Sequence, residues 1–229
     1  FMIPTQFIEH RLGALRQGLH SIRSWLTRIF AGFLLVSSGV IHAAQGGTLL
    51  VVGDSLSAEY GLARGSGWVT HLTEKIHQVD PTIEVVNASI SGDTSRGGLA
   101  RFEPLLKEHQ PKWVLLELGA NDALRGLSLS TLRANLTAMT EAAQNMGAHV
   151  VLIGVQVPPN YGRRYTQEFA QSFETVANQT GASLVPFLLK DIADVPDALR
   201  WFQDDRIHPN EAAQPIMANN VWPTLQPLL

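Results

Sequence analysis

A serine follows glycine and aspartate in Gly53-Asp54-Ser55-Leu56-Ser57, and much later Asp205-Arg206-Ile207-His208-Pro209 sets a carboxylate three residues before an imidazole. A free hydroxyl is a weak nucleophile near neutrality, so Ser55 needs a base to take its proton. His208 suits that task if Asp205 accepts from Nδ1–H, fixes the tautomer and leaves Nε2 facing the serine. Asp204 competes with Asp205 from the adjacent position. Beyond residue 44, His71, His77 and His109 fall in helical patterns and His149 begins a strand, whereas His208 lies in a polar loop. The chemistry such a trio performs is acyl transfer through a covalent serine intermediate.

That chemistry also needs two or three preorganised donors for a tetrahedral oxyanion, each worth about 2.7–4 kcal/mol. Gly92 offers a backbone N–H that no side chain obstructs, Asn121 a side-chain amide, and Ser55 its own N–H. Taken singly, a plain turn glycine and a loop cap explain Gly92 and Asn121 equally well. Asp54 precedes the nucleophile and points elsewhere, because neighbouring side chains at a strand end diverge. Its expected role is to receive backbone N–H bonds in the turn.

The elements that must position these residues alternate. Strands are predicted at Thr48–Val52, Ile83–Asn87, Trp113–Leu118, His149–Gly154 and Ser183–Pro186. Helical patterns occupy Trp68–Val79, Gly97–His109, Ser130–Met146 and Tyr165–Thr180, with a last helix over Glu211–Leu225. Alternation of this kind predicts a parallel sheet covered on both faces. The fold class is therefore α/β: a flavodoxin-like three-layer α/β/α sandwich on a parallel five-stranded sheet. In that topology the polar loops after the strands converge on one rim and make a site.

Residues 1–44 read differently. Arg11, Arg16, Arg23 and Arg28 precede an apolar stretch from Ile29 to Ile41, and Ala43-Ala44-Gln45 follows. Charged, apolar and small residues in that order predict an N-terminal extension with a secretory signal peptide, leaving 45–229 as one domain. The stretch is shorter than the roughly 20 residues a bilayer span needs, so no stable membrane insertion is expected after cleavage. Without the leader, 13 basic and 19 acidic side chains remain, a net charge of −6, which argues against a nucleic-acid partner. The absence of cysteine excludes disulfides, a thiol nucleophile and a Cys-ligated zinc site.

Four segments in order carry a resemblance: GDSLS with Ser55, Ser-Gly-Asp with Gly92, Gly-Ala-Asn-Asp with Asn121, and Asp205-x-x-His208. Together they resemble the blocks of the SGNH (GDSL) hydrolase superfamily. The resemblance implies Ser55 as nucleophile, His208 as base and Asp205 as its partner, with Ser55, Gly92 and Asn121 as oxyanion donors. Val157-Pro158-Pro159-Asn160-Tyr161 and Gln203–Asn210 narrow it to the small periplasmic bacterial enzymes known as thioesterase I, lysophospholipase or arylesterase. Those are exported single-domain proteins without metal or cofactor, acting on small-molecule acyl esters and thioesters. The resemblance implies a shallow acyl groove lined by Leu124, Leu127, Pro159 and Tyr161, a monomer, and a periplasmic or secreted location.

Three rivals are weighed against this reading. A sugar deacetylase of the same superfamily would share the site and prefer short acyl groups. A flavodoxin-like binding or receiver module would have no use for His208 and would want an acidic phosphoacceptor where Gly119-Ala120-Asn121 stands. A metal phosphoesterase would build on Asp54, Asp122 and His208. An α/β-hydrolase elbow is excluded, because Gly-x-Ser-x-Gly fails at Ser57.

Overall fold

The computed structural model describes residues 46–229. The leader expected at 1–44 lies outside the described residues. Five strands, β1 (Thr48–Gly53), β2 (Glu84–Asn87), β3 (Trp113–Glu117), β4 (His149–Ile153) and β5 (Ser183–Val185), form one parallel sheet in the order β2-β1-β3-β4-β5. Six α-helices follow in chain order: α1 (Trp68–Val79), α2 (Ser95–His109), α3 (Ala120–Leu124), α4 (Leu129–Asn145), α5 (Arg163–Thr180) and α6 (Gln214–Leu225).

The order explains the composition of the strands. β1 and β3 pair along their length, Val51 opposite Leu115 and Gly53 opposite Glu117. Helices cover both faces, α1 packing with α6 in one layer and α2, α4 and α5 in sequence in the other. Strands buried on two sides are largely apolar, and Leu49–Val52 and Val114–Leu116 are fully buried. Truncating one such residue, Leu115→Ala for example, costs about 2–5 kcal/mol.

Helix ends depart from the sequence reading where polar contacts decide them. α2 starts at Ser95 rather than Gly97, because Thr94 caps it through the N–H of Gly97 and the Asp122 carboxylate takes the N–H of Ser95 at 2.7 Å. α5 starts at Arg163, two residues before the predicted Tyr165. The last helix is divided into a single 3-10 turn, Glu211–Ala213, and α6. A proline fits the first turn of α6, since it lacks only an N–H that would have no intrahelical acceptor. α3, read as loop, is a one-turn helix directly after β3.

Candidate active site

Strand order places the chemistry. β1 and β3 are neighbours from which the chain departs in opposite directions, and ligands of open α/β sheets bind in the crevice at such a switch point. Ser55 follows β1 and Asn121 is the second residue of α3 after β3, so both stand at that crevice. Gly92 lies beyond β2, and His208 lies between β5 and α6.

The structure brings Ser55, His208 and Asp205 together across the fold. His208 Nε2 is 2.9 Å from Ser55 Oγ, and His208 Nδ1 is 2.6 Å from Asp205 Oδ2. Asp205 Oδ1 also accepts from the backbone N–H of Ile207 at 2.9 Å and of His208 at 3.0 Å. Partial burial pushes the Asp205 carboxyl upward, but the hydrogen bonds from His208 and Ile207 outweigh it and bring it down to about 2. Asp205 is therefore an anion that holds the imidazole by its Nδ1 edge. Asp205, rather than Asp204, takes this position.

Several residues seat the loop that carries His208, and the sequence reading missed them. Gln203 N–H donates to the His208 carbonyl at 2.8 Å, and Phe202 bridges Pro209. Gln203 Nε2 donates to the carbonyls of Tyr60 at 2.8 Å and Pro209 at 3.1 Å. Buried Gln214 accepts from the N–H of Trp68 at 3.0 Å and donates to the carbonyls of Pro209 and Asn210. One side chain thus satisfies the exposed start of α1 and fastens the loop before α6. The Tyr60 ring lies on the His208 ring with centroids 4.3 Å apart. The only sequence signal for these contacts is that Tyr60 and Gln203 sit within a few residues of the nucleophile and base.

Asn121 and Gly92 stand on the same rim as Ser55. Asn121 Nδ2 donates to Asp54 Oδ2 at 3.1 Å, which leaves its second N–H available. Gly92 has φ +80, a conformation suited to glycine, and a Cβ there would touch Arg125 Nη2 at 3.8 Å. Its carbonyl accepts from the same Arg125 Nη2 at 2.8 Å. Asp54 takes the N–H of Leu56 at 3.0 Å, the turn-stabilising role expected from sequence. Burial pushes the Asp54 carboxyl up to about 6, against the lowering influence of its bonds from Leu56 and Asn121.

Of the apolar residues expected to line an acyl groove, Leu124 is exposed at the end of α3, and Leu127 and Tyr161 on the segments after α3 and β4. The side chain of Pro159 lies outside those described. Tyr60, Ile90 and Ile207 are exposed too, on the loops after β1, β2 and β5. The segment after every strand thus presents an exposed apolar side chain. Asp122, one arm of the metal phosphoesterase alternative, engages Ser95 with both oxygens, at 2.7 Å to its N–H and 2.6 Å to its hydroxyl. Its carboxylate is committed to joining α2 and α3.

Comparison with known proteins decides the lineage. The profile of the GDSL-like lipase/acylhydrolase family matches residues 51–215. The chain belongs to that family. It is 50% identical to the Esterase TesA of Pseudomonas aeruginosa over 187 residues, covering 82% of this chain and 90% of the relative. It is 41% identical to the Thioesterase 1/protease 1/lysophospholipase L1 of Escherichia coli strain K12 over 197 residues, covering 86% of this chain and 92% of the relative. Among solved structures, the psychrotrophic esterase EstA of Pseudoalteromonas sp., inhibited by monoethylphosphonate, superposes with a TM-score of 0.72 at 41% identity. That match covers 79% of this chain and 97% of EstA. The α/β fold and the acylhydrolase class of this GDSL-family chain are those read from its sequence.

Proposed function

We propose that this GDSL-family acylhydrolase is a serine esterase and thioesterase working through an acyl-enzyme. The observation that carries the reading is the single imidazole between Ser55 Oγ at 2.9 Å and Asp205 Oδ2 at 2.6 Å. Ser55 Oγ attacks the acyl carbonyl while its proton passes to His208 Nε2. The oxyanion accepts from the N–H of Ser55, the N–H of Gly92 and the free N–H of Asn121 Nδ2. Collapse expels the alcohol or thiol, which leaves with the proton from His208. Water then attacks the acyl-serine with His208 again as base, and the carboxylic acid departs.

The substrates are small-molecule esters and thioesters with medium or long acyl chains, lysophospholipids and aryl esters among them. Relatives whose names carry those activities support this reading, as do the exposed Leu124, Leu127 and Tyr161 beside the site. Ser55, His208 and Asp205 complete their hydrogen bonds within one chain, so the chemistry needs no second copy, and the enzyme is taken to be a monomer. The charged, apolar and small-residue order at 1–44 supports export to the periplasm or beyond. Hydrolysis of p-nitrophenyl esters from acetate to palmitate, with Ser55→Ala alongside, tests the proposal. Serine-dependent rates that rise with chain length are expected. A sharp preference for acetate would transfer the enzyme to the deacetylases, and equal rates in Ser55→Ala would remove Ser55 from the mechanism.

A further inference from the structure

Glu117 closes β3 inside the core, fully buried, where an apolar residue would be the rule. Its Oε2 accepts from Ser57 Oγ at 2.7 Å and from the N–H of Asp54 at 3.3 Å. Its Oε1 is buried with no N–H or O–H to accept from. A carboxylate with one oxygen unmatched, set against a second carboxyl, is strongly disfavoured. A carboxylic acid has no such difficulty, because the unmatched oxygen then carries a proton and donates it. The acceptor within hydrogen-bond reach of the Glu117 carboxyl is the Asp54 side chain.

We propose that Glu117, as the neutral acid, is a positioning residue for the oxyanion donor Asn121, acting through Asp54. The inference rests on Asn121 being such a donor, as proposed above. Asp54 Oδ1 is occupied by the N–H of Leu56 at 3.0 Å, and Oδ2 receives Asn121 Nδ2 at 3.1 Å. An anion at Asp54 accepts from the amide nitrogen and repels the amide oxygen, so it decides which way Asn121 is turned. One N–H is held by Asp54, and the other is left for the oxyanion. Flipped by half a turn, the amide would present its oxygen to Asp54 and lose that bond.

Two further observations fit. A Cβ at Gly53 would lie 2.7 Å from Ser57 Oγ and 2.8 Å from Glu117 Oε2. The glycine of the Gly53-Asp54-Ser55 motif is therefore the space that lets Glu117 approach the nucleophile turn. The groups acting on the pair also favour a proton on Glu117. Burial, then the charge of Asp54, push the Glu117 carboxyl far above its ordinary range, and the bonds from Ser57 and Asp54 N–H offset only part of that. Asp54 in turn feels the charges of His208 and Asp93, the first lowering and the second raising its carboxyl.

The test is steady-state hydrolysis of p-nitrophenyl butyrate by the wild type, Glu117→Gln, Glu117→Leu, Asn121→Ala and the double variant Glu117→Leu/Asn121→Ala. Removing an oxyanion donor lowers kcat about 100- to 1,000-fold, which is the expectation for Asn121→Ala. Glu117→Leu should lower kcat by about tenfold or more with KM little changed, and should cost nothing further in the double variant. Glu117→Gln mimics the neutral acid, donating to Asp54 and accepting from Ser57, and should restore kcat to within about threefold. If Glu117→Leu does not fold by circular dichroism, Glu117→Met takes its place: a kcat loss of about tenfold or more that vanishes in the Asn121→Ala background supports the relay, and a wild-type kcat overturns it. Full multiplication of the two losses in the double variant, or a Gln variant as impaired as Leu, also overturns the proposal. Wild-type kcat in Asn121→Ala would refute the oxyanion role itself. A large loss there beside a wild-type Glu117→Leu refutes the relay alone.

Discussion

Replacing Asp205 by Asn separates two tasks that one carboxylate performs. Oδ1 accepts from the N–H groups of Ile207 and His208 at 2.9 and 3.0 Å, and Oδ2 holds His208 Nδ1 at 2.6 Å. In Asp205→Asn the amide oxygen keeps both backbone bonds, so the loop retains its shape. The amide nitrogen then faces Nδ1 and donates to it, which drives the ring proton to Nε2. An Nε2 already protonated takes no proton from Ser55 Oγ, 2.9 Å away. A tautomer error of this kind lowers kcat about 10,000-fold, equivalent to about 5.4 kcal/mol at 1.36 kcal/mol per factor of ten. The assay is p-nitrophenyl butyrate hydrolysis beside a thermal melt. The expected result is a kcat collapse at nearly constant KM, with the Tm moved by no more than about 2 °C. Asp205→Ala, which loses the backbone acceptor as well, should melt lower than Asp205→Asn. An Asn variant retaining a tenth of wild-type kcat would refute the division of labour between the two oxygens.

Gly53→Ala forces a methyl group against Ser57 and Glu117 at 2.7 and 2.8 Å, and overpacking of this kind costs about 1–3 kcal/mol. Urea unfolding should show a lower midpoint with an unchanged slope, and an unshifted midpoint would mean the strand end yields freely. Asp54, buried and pushed up to about 6, keeps a proton in the folded chain that the unfolded chain releases near its ordinary value. Its contribution is full below about pH 4 and is lost as pH rises to about 6, on the order of 3 kcal/mol. Relative to the wild type, Asp54→Asn should therefore gain stability across that window in chemical denaturation, and a constant difference would contradict the assignment. Leu124→Asp and Leu127→Asp place charge on the exposed apolar rim. They should cut turnover of p-nitrophenyl palmitate by about tenfold or more while sparing acetate, since burying an unpaired charge against an acyl chain costs at least 1.4 kcal/mol. Equal effects on both esters would place these side chains away from the acyl path.

What the sequence made legible follows from what each residue type is forced to do. β1 and β3 were readable because a strand covered on both faces has no polar alternative, and the run from Leu49 to Val52 is wholly apolar. Ser55, Asp205 and His208 were readable as types at a spacing, and the fold brings them within hydrogen-bond reach. Glu117 was visible as one acid in the apolar run Trp113–Leu118, a signal that a strand assignment treats as an interruption. Its partners at 54 and 57 belong to another strand end, so its purpose appears only when β1 and β3 pair. The bonds of Gln203 to Tyr60 and of Gln214 to Trp68 are tertiary in the same sense, since nothing local in either glutamine announces a partner so far away in the chain. α3 was missed because a helix of one turn has no periodicity to detect.

The whole sheet is complete at Val185, yet Asp205 and His208 come after it, on a loop that docks through Gln203 and Gln214 onto segments made much earlier. A growing polypeptide therefore possesses its nucleophile long before it possesses a base. A chain folded only as far as β5 holds Ser55 with no imidazole to take its proton. Reactivity therefore depends on the docking of the segment after β5, so that the last fastening of the fold also acts as the enzyme's safety catch.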